Sequence, residues 1–207
     1  VTKGGEAYTT FRVGEPHGRP SARVQLIHDM LADIDSVKIT TNLWGERWSK
    51  LVQNAMGNGL SAASGMSNKQ FTQNDITRRL SIRLAGEAVR AGLSQGLSLE
   101  KIAGVDPNVW VQAAEELNTG ANDTPVLDEL EARMLTQAER MSDTARPSMG
   151  QDMIKGRRTE IEFLNGLVVQ RAHEMGLEAP ANAGLIAAVQ MVERGDAPPD
   201  LARVQDI

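Results

Sequence analysis

The chain contains no cysteine. Disulfides, thiolate catalysis and Cys-ligated metals are therefore excluded, which suits a cytoplasmic protein. Aromatic residues are nearly as scarce: three Trp, three Phe and one Tyr in 207 residues. The core must then be built from Leu, Ile, Val, Met and Ala, as helix-packed cores commonly are. No apolar run approaches the length needed to span a bilayer, so no membrane partner is expected. There is no excess of positive charge either. A formal net charge of −5 gives no electrostatic reason to bind nucleic acid or anionic lipid. The sequence has no GxSxG, no HExxH and no P-loop. No GxGxxG follows a strand, so there is no dinucleotide fingerprint. His17, His28 and His173 are scattered without metal-ligand spacing, and no metal is expected. An initiator Met is also missing, and the opening Val1 to Gly5 reads neither as a signal peptide nor as a natural start. We expect a chain that begins within a longer protein.

The remaining composition, 41% hydrophobic and 24% charged, is that of an ordinary soluble globular protein. Its length suits one domain, or one domain with a small extra lobe. The first forty residues differ from the rest. Ala7 to Val13 is rich in β-formers and stops at Gly14. A helical pattern follows, with Val24, Leu26, Ile27, Met30 and Leu31 on one side, and Ser36 to Thr41 alternates as a second short strand. Strand, helix, strand is how an α/β domain ends. Two strands and a helix cannot bury a core alone.

From Asn42 onward the pattern is helical throughout. The spacing predicts helices over 43–63, 70–95, 107–117 and 126–142, with a short piece at 99–103. Pro107 suits a helix start. Another helix opens at Ser148, meets a possible interruption at Gly156 and runs to Met175, and a last one covers 180–194. The tail, with Pro198 and Pro199, reads as irregular.

The most informative stretch is Trp48 to Leu60, WSKLVQNAMGNGL. Lys50, Asn54 and Asn58 are spaced by four, so on a helix they drift by only ~40° per step and form one stripe. Trp48, Leu51, Val52, Ala55 and Met56 flank the stripe and read as core. Burying a Lys and two Asn without partners is costly. Asn is a mediocre helix former, and Gly57 and Gly59 cost about 1 kcal/mol each relative to Ala. Such a cluster suggests that something approaches that face closely. An exposed polar face, with glycines allowing tight helix packing, explains the pattern equally well.

Ser148 followed by Gln151 is a capping-box pattern. A helix start also offers unpaired N–H groups that can hold a carboxylate, although plain capping is the simpler reading. Glu160 beside Ile161, Phe163 and Leu164 reads, taken alone, as a solvated helix charge. Arg157 and Arg158 are a weak phosphate signal.

Taken together, three segments resemble ketopantoate reductase (2-dehydropantoate 2-reductase) in the right order. They are the Gly14 to Arg19 turn, the Trp48 to Asn58 helix, and the run from Ser148 through Lys155, Gly156, Arg157, Thr159, Glu160 and Ile161 to Leu164, Asn165 and Gly166. Gly176, Leu177, Pro180 and Asn182 fit as well. The resemblance implies a mainly α fold: an all-helical substrate-binding domain over 42–207, of the 6-phosphogluconate dehydrogenase C-terminal-like type. The C-terminal end of a dinucleotide-binding Rossmann domain, over 1–41, precedes it. It further implies hydride transfer from NADPH to the ketone carbon of a 2-oxo acid, with ketopantoate reduced to pantoate on the route to pantothenate and coenzyme A.

By the same resemblance Lys50 is the general acid, since an ammonium within hydrogen-bond reach can protonate the developing alkoxide. Asn54 and Asn58 would bind the hydroxyl end of the substrate, Asn68 would be a further substrate contact, and Ser148 would hold the carboxylate. Glu160 would act as a catalytic residue, or orient the lysine, the substrate or the nicotinamide ribose. Two departures stand out. Ala145 occupies a position where the family often has a substrate-binding Asn, and the glycine-rich loop and most of the sheet are absent. The chain alone is accordingly expected to be inactive. The competing readings are a related reductase of another 2-oxo acid or imine, and a non-catalytic helical interaction domain in which Lys50 and Glu160 do not converge. Apolar surface left exposed would favour a homodimer.

Overall fold

The computed structural model describes residues 9–120 and 123–207. Strands β1 (Phe11–Val13) and β2 (Val37–Ile39) pair in parallel, with Phe11 opposite Val37 and Val13 opposite Ile39. Parallel neighbours need a crossover, supplied by helix α1 (Ala22–Ala32). The Ser21 hydroxyl caps α1 by accepting from the Val24 N–H at 3.1 Å. Both strands are shorter than the sequence pattern suggests, and residues 7 and 8 of the first expected strand lie outside the described residues. The apolar side expected for α1 is not covered. Val24 is its buried residue, while Leu26 and Met30 are 61% and 63% exposed.

The remainder is helical: α2 (Leu43–Ala55), α3 (Asn58–Ser64), α4 (Asn68–Gln73), α5 (Asp75–Ser94), α6 (Pro107–Thr119), α7 (Pro125–Ala138), α8 (Ser148–Ile154), α9 (Ile161–Glu174) and α10 (Pro180–Glu193). No helix among the described residues is long and apolar enough to cross a membrane. Three expected helices are corrected. The one over 43–63 breaks at Met56 and Gly57 into α2 and α3. The one over 70–95 begins earlier and breaks at Asn74, whose backbone is extended and whose side chain caps α5 by accepting from the Thr77 N–H. The one running to Met175 stops after Ile154, and Gly156 takes a left-handed φ of +62° before α9 starts at Ile161. The 99–103 piece is no helix, since Ile102 and Val105 form an isolated antiparallel bridge there. The tail is less irregular than expected: a short 3₁₀ turn at Leu201–Arg203 tucks Val204 into the core at 1% exposure.

Helix α5 is the axis of the molecule. It is buried around much of its circumference, thirteen of its twenty residues being covered, Arg78 and Glu87 among them. Ile82, Ala85 and Val89 join Trp48, Val52, Trp110, Leu130 and Val168 in one core. Leu80 and Leu84 join Leu60, Phe71, Met149, Ile161, Leu185 and Val189 in a second. The strand–helix–strand segment is tied to α2 by polar contacts. Glu46 of α2, only 8% exposed, pairs with Arg12 of β1 and Lys38 of β2, and the Trp44 indole N–H donates to the Pro16 carbonyl at 3.0 Å.

Candidate active site

The break between α2 and α3 positions the polar stripe. Gly59 packs against α9 and α10: an added Cβ would lie 2.8 Å from Leu185 Cδ2 and 3.1 Å from Ile161 Cδ1. Close helix packing therefore accounts for that glycine. Gly57 faces Phe71, 3.3 Å from where a Cβ would sit, and borders a cavity. The Ala55 carbonyl at the end of α2 is not left unpaired. The Asn165 side-chain N–H donates to it at 3.0 Å and also donates to Asn182 Oδ1 at 2.9 Å. Asn182 in turn bonds the buried carboxylate of Glu87 on α5.

The cavity enclosed by this arrangement has a volume of about 390 Å³. Lys50, Gln53 and Asn54 of α2, with Asn58 at the start of α3, form one wall. Asn68, Phe71 and Thr72 of α4 form the next. Trp110 of α6, with Leu130, Arg133, Met134 and Gln137 of α7, closes the far side, and Ser81 of α5 also lines the space. Helix α7 is held there by a buried ion pair, Arg78 Nε to Glu131 Oε1 at 2.9 Å, with Arg79 on the same carboxylate at 3.2 Å. That hydrogen bond to Glu131 raises the Arg79 pKa above its ordinary value.

The electrostatics favour an anion. No acidic residue lines the cavity among the described residues, whereas Lys50 and Arg133 do. Arg133 is partly engaged, its Nη2 donating to the Gly104 carbonyl at 3.1 Å. Lys50 is exposed and has no ion pair or hydrogen bond among the described residues. It also lines two neighbouring grooves. One, of about 650 Å³, runs past Trp44, Leu51, Asn54, Phe163 and Leu164. The other, of about 370 Å³, lies between Arg12, Lys38, Glu46 and Lys101. The Lys50 ammonium thus stands where three depressions meet.

Four of the six residues singled out from the sequence, Lys50, Asn54, Asn58 and Asn68, share the one cavity. The stripe reading needs one correction: Lys50 and Asn54 lie on α2 but Asn58 opens α3, so they do not share an unbroken helix. Ser148 is exposed at the first position of α8, beside Pro147, which does line the cavity. It does not cap, because Pro147 is the N-cap and Gln151 donates instead to the Arg146 carbonyl at 2.9 Å. The structure has its capping box at Ser67 and Gln70 instead.

Glu160 is exposed just before α9 and lines none of these three depressions. Its carbonyl accepts from Phe163 and Leu164, both of which line the larger groove with Lys50. Sequence reasoning passed over Gln53, Thr72, Ser81, Arg133 and Gln137. Of these only Ser81 carried a local signal, as a hydroxyl between Leu80 and Ile82 on a buried helix face.

Residues 42–193 match the family described as "Ketopantoate reductase PanE/ApbA C terminal". A 2-dehydropantoate 2-reductase of Archaeoglobus fulgidus is 26% identical over 94% of this chain and 56% of its own length. One from Pyrococcus horikoshii is 26% identical over 75% of this chain and 42% of its own. The chain spans about half the length of the curated relatives it matches. Among solved structures, a PanE/ApbA family ketopantoate reductase from Ralstonia eutropha superposes with a TM-score of 0.65 at 22% identity, covering 91% of this chain and 53% of that one. A D-mandelate dehydrogenase, in a ternary structure with NADH and anilino(oxo)acetate, superposes at 0.67 and 17% identity, covering 89% and 66%. These likenesses extend across the helices that build the cavity, and the chain belongs to the ketopantoate reductase family, its residues 42–193 corresponding to that family's C-terminal domain.

Proposed function

We propose that this chain is the substrate-binding and proton-donating half of a nicotinamide-dependent reductase of 2-oxo acids, with ketopantoate as the first candidate substrate and NADPH as the expected reductant. The observation that carries the reading is Lys50: an ammonium without a partner, at the rim of a cavity that has no acidic lining among the described residues and that Asn54, Asn58 and Asn68 also line. The substrate carboxylate and ketone oxygen are both electron-rich and suit a cavity lined by amide donors and a cation. As a hydride joins the carbonyl carbon, the C=O π pair moves to oxygen and takes the Lys50 proton, giving the 2-hydroxy acid. Asn54, Asn58 and Asn68 hold the substrate so that its ketone oxygen meets that ammonium. Ser148, at the start of α8 beside the cavity, would take the carboxylate.

The nicotinamide cofactor, when bound, supplies the hydride. Its ring suits the groove beside Lys50, where Trp44 and Phe163 are 52% and 73% exposed, and Glu160 would meet the ribose hydroxyls or the lysine. The phosphate contacts would come from a nucleotide-binding segment of the kind that occupies the other half of such reductases.

The test is turnover by the full-length protein. Loss of reduced-nicotinamide absorbance is followed with ketopantoate and other 2-oxo acids, with NADPH and with NADH, for wild type and Lys50→Ala. We expect ketopantoate-dependent oxidation that falls by roughly 10²–10⁴-fold in the variant while its melting temperature is kept. Absence of turnover with every 2-oxo acid and both cofactors would sink the reading in favour of a non-catalytic helical domain.

A further inference from the structure

Ser81 sits in the middle of α5 at 1% exposure. A serine or threonine in a helix commonly satisfies its hydroxyl by bonding back to the carbonyl four residues earlier. Ser49 does so to Gly45 at 2.8 Å, Ser64 to Leu60 at 2.6 Å and Thr72 to Asn68 at 2.8 Å. Ser81 does not. Its Oγ is buried with no hydrogen-bond partner, and the residue lines the cavity that holds Lys50 and the three asparagines. An orphaned buried hydroxyl is destabilising, and alanine would avoid the cost at this position. The cavity is the space from which a partner can reach it.

Lys50 and Ser81 line that space at different depths. Lys50 is exposed at the rim, where two other grooves meet it, while Ser81 is sealed beneath. The far side combines the apolar Trp110, Leu130 and Met134 with the polar Arg133 and Gln137. A ligand that reacts at Lys50 and reaches Ser81 therefore carries an oxygen at its inner end.

We propose that Ser81 is a specificity-determining residue whose hydroxyl joins Asn54 and Asn58 in binding an oxygen, best a hydroxyl, on the end of the substrate remote from the reacting ketone. This inference rests on the reductase reading above. It favours 2-oxo acids that carry an oxygen at the end remote from the ketone over those ending in a methyl group.

The experiment compares two compounds that differ at that oxygen alone: ketopantoate, and its analogue with hydrogen in place of the terminal hydroxyl (trimethylpyruvate). Steady-state kinetics are run on the full-length wild type, Ser81→Ala and Ser81→Thr. The wild type should prefer ketopantoate. Ser81→Ala should lower kcat/KM for ketopantoate by about 10-fold, mostly through KM, and change it for the analogue by less than about 2-fold. Ser81→Thr keeps the hydroxyl and has the cavity to receive its methyl group, so it should restore the preference. An equal loss on both compounds, or an unchanged preference, overturns the role of Ser81 while the reductase reading stands. A wild type that turns over neither compound but reduces another 2-oxo acid overturns the Ser81 proposal alone, and one that reduces no 2-oxo acid with either cofactor overturns both.

Discussion

Removing the Glu87 carboxylate should loosen the whole helical assembly. Glu87 lies on α5 at 6% exposure and accepts three hydrogen bonds at the start of α10: from the Ala181 N–H at 2.9 Å, the Asn182 N–H at 2.9 Å and Asn182 Nδ2 at 2.7 Å. It thus does for α10 what an N-cap side chain normally does, from a residue 94 positions earlier. In Glu87→Ala the Ala181 and Asn182 N–H groups lose their acceptor and Asn182 Nδ2 keeps only the Leu84 carbonyl, at 3.3 Å, each lost bond costing about 1–3 kcal/mol when no substitute arrives. Glu87 also borders a depression of about 340 Å³ shared with Arg83 and Arg90, through which water can reach some of them. The lower end of the range, about 3 kcal/mol in all, is therefore expected. For a chain of this size that corresponds to a melting temperature lower by about 6–12 °C. Glu87→Gln keeps one oxygen and turns the other toward a donor as an amide N–H, so it should lose roughly half as much. Thermal unfolding followed by circular dichroism, with urea midpoints at constant m-value, reads both. An alanine variant melting within about 2 °C of wild type, or a glutamine variant falling as far as the alanine one, would refute the reasoning.

Two further predictions concern the first turns of the structure. Glu15 is held below its ordinary carboxylate pKa by hydrogen bonds from Arg23 and then Ser21. A depressed folded value stabilises the protein above the ordinary carboxylate range and is lost as pH falls through the folded value. The melting-temperature gap between wild type and Arg23→Ala should therefore shrink as pH is lowered from about 5 to about 3, and a gap constant over that range would refute it. At Gly45 an added Cβ would run into the Ser98 carbonyl and the Asn42 side chain, and a backbone carbonyl yields little. Gly45→Ala should cost about 2–3 kcal/mol, read as a urea midpoint shift, and an unchanged midpoint would show that this contact is soft.

The sequence was most legible where one period ran without interruption. The starts of α6 at Pro107 and α10 at Pro180 follow from the fixed φ of proline, and the repeat of Leu127, Leu130, Met134 and Ala138 gave α7 its buried side. Lys50, Asn54 and Asn58 were legible as a stripe through their spacing of four, while Asn68 and the roles of all four came from the resemblance to a family. The rest depends on contacts between residues far apart in the chain. Serine followed three residues later by glutamine occurs at Ser67 and at Ser148, yet forms a capping box only at Ser67, because Pro147 takes the cap position at α8 and Gln151 turns to the Arg146 carbonyl. The pattern is identical within a local window, and tertiary context decides between the two. Ile102 lies in the 99–103 stretch that reads as a short helical piece but pairs with Val105 across a turn in which Ala103 has a φ of +50°.

The break at Met56 and Gly57 shows how such distant contacts reach the site. On an unbroken helix, Asn58 would follow Lys50 by two four-residue steps and stand about 12 Å further along the axis. Ending α2 at Ala55 requires a partner for its carbonyl, and Asn165 of α9 provides one. Asn165 is fixed by Asn182 of α10, and Asn182 by Glu87 of α5. A chain of buried polar groups on three helices therefore stabilises the place where α2 stops and α3 begins. With the break in place, Asn58 is buried at 9% exposure in the wall of the cavity while Lys50 stays exposed at its rim. Asn165 and Asn182 line none of the depressions that Lys50 lines, so their polarity is explained by this support rather than by contact with a ligand. The same buried chain that secures the start of α10 thus also sets the relative positions of the lysine and the asparagines.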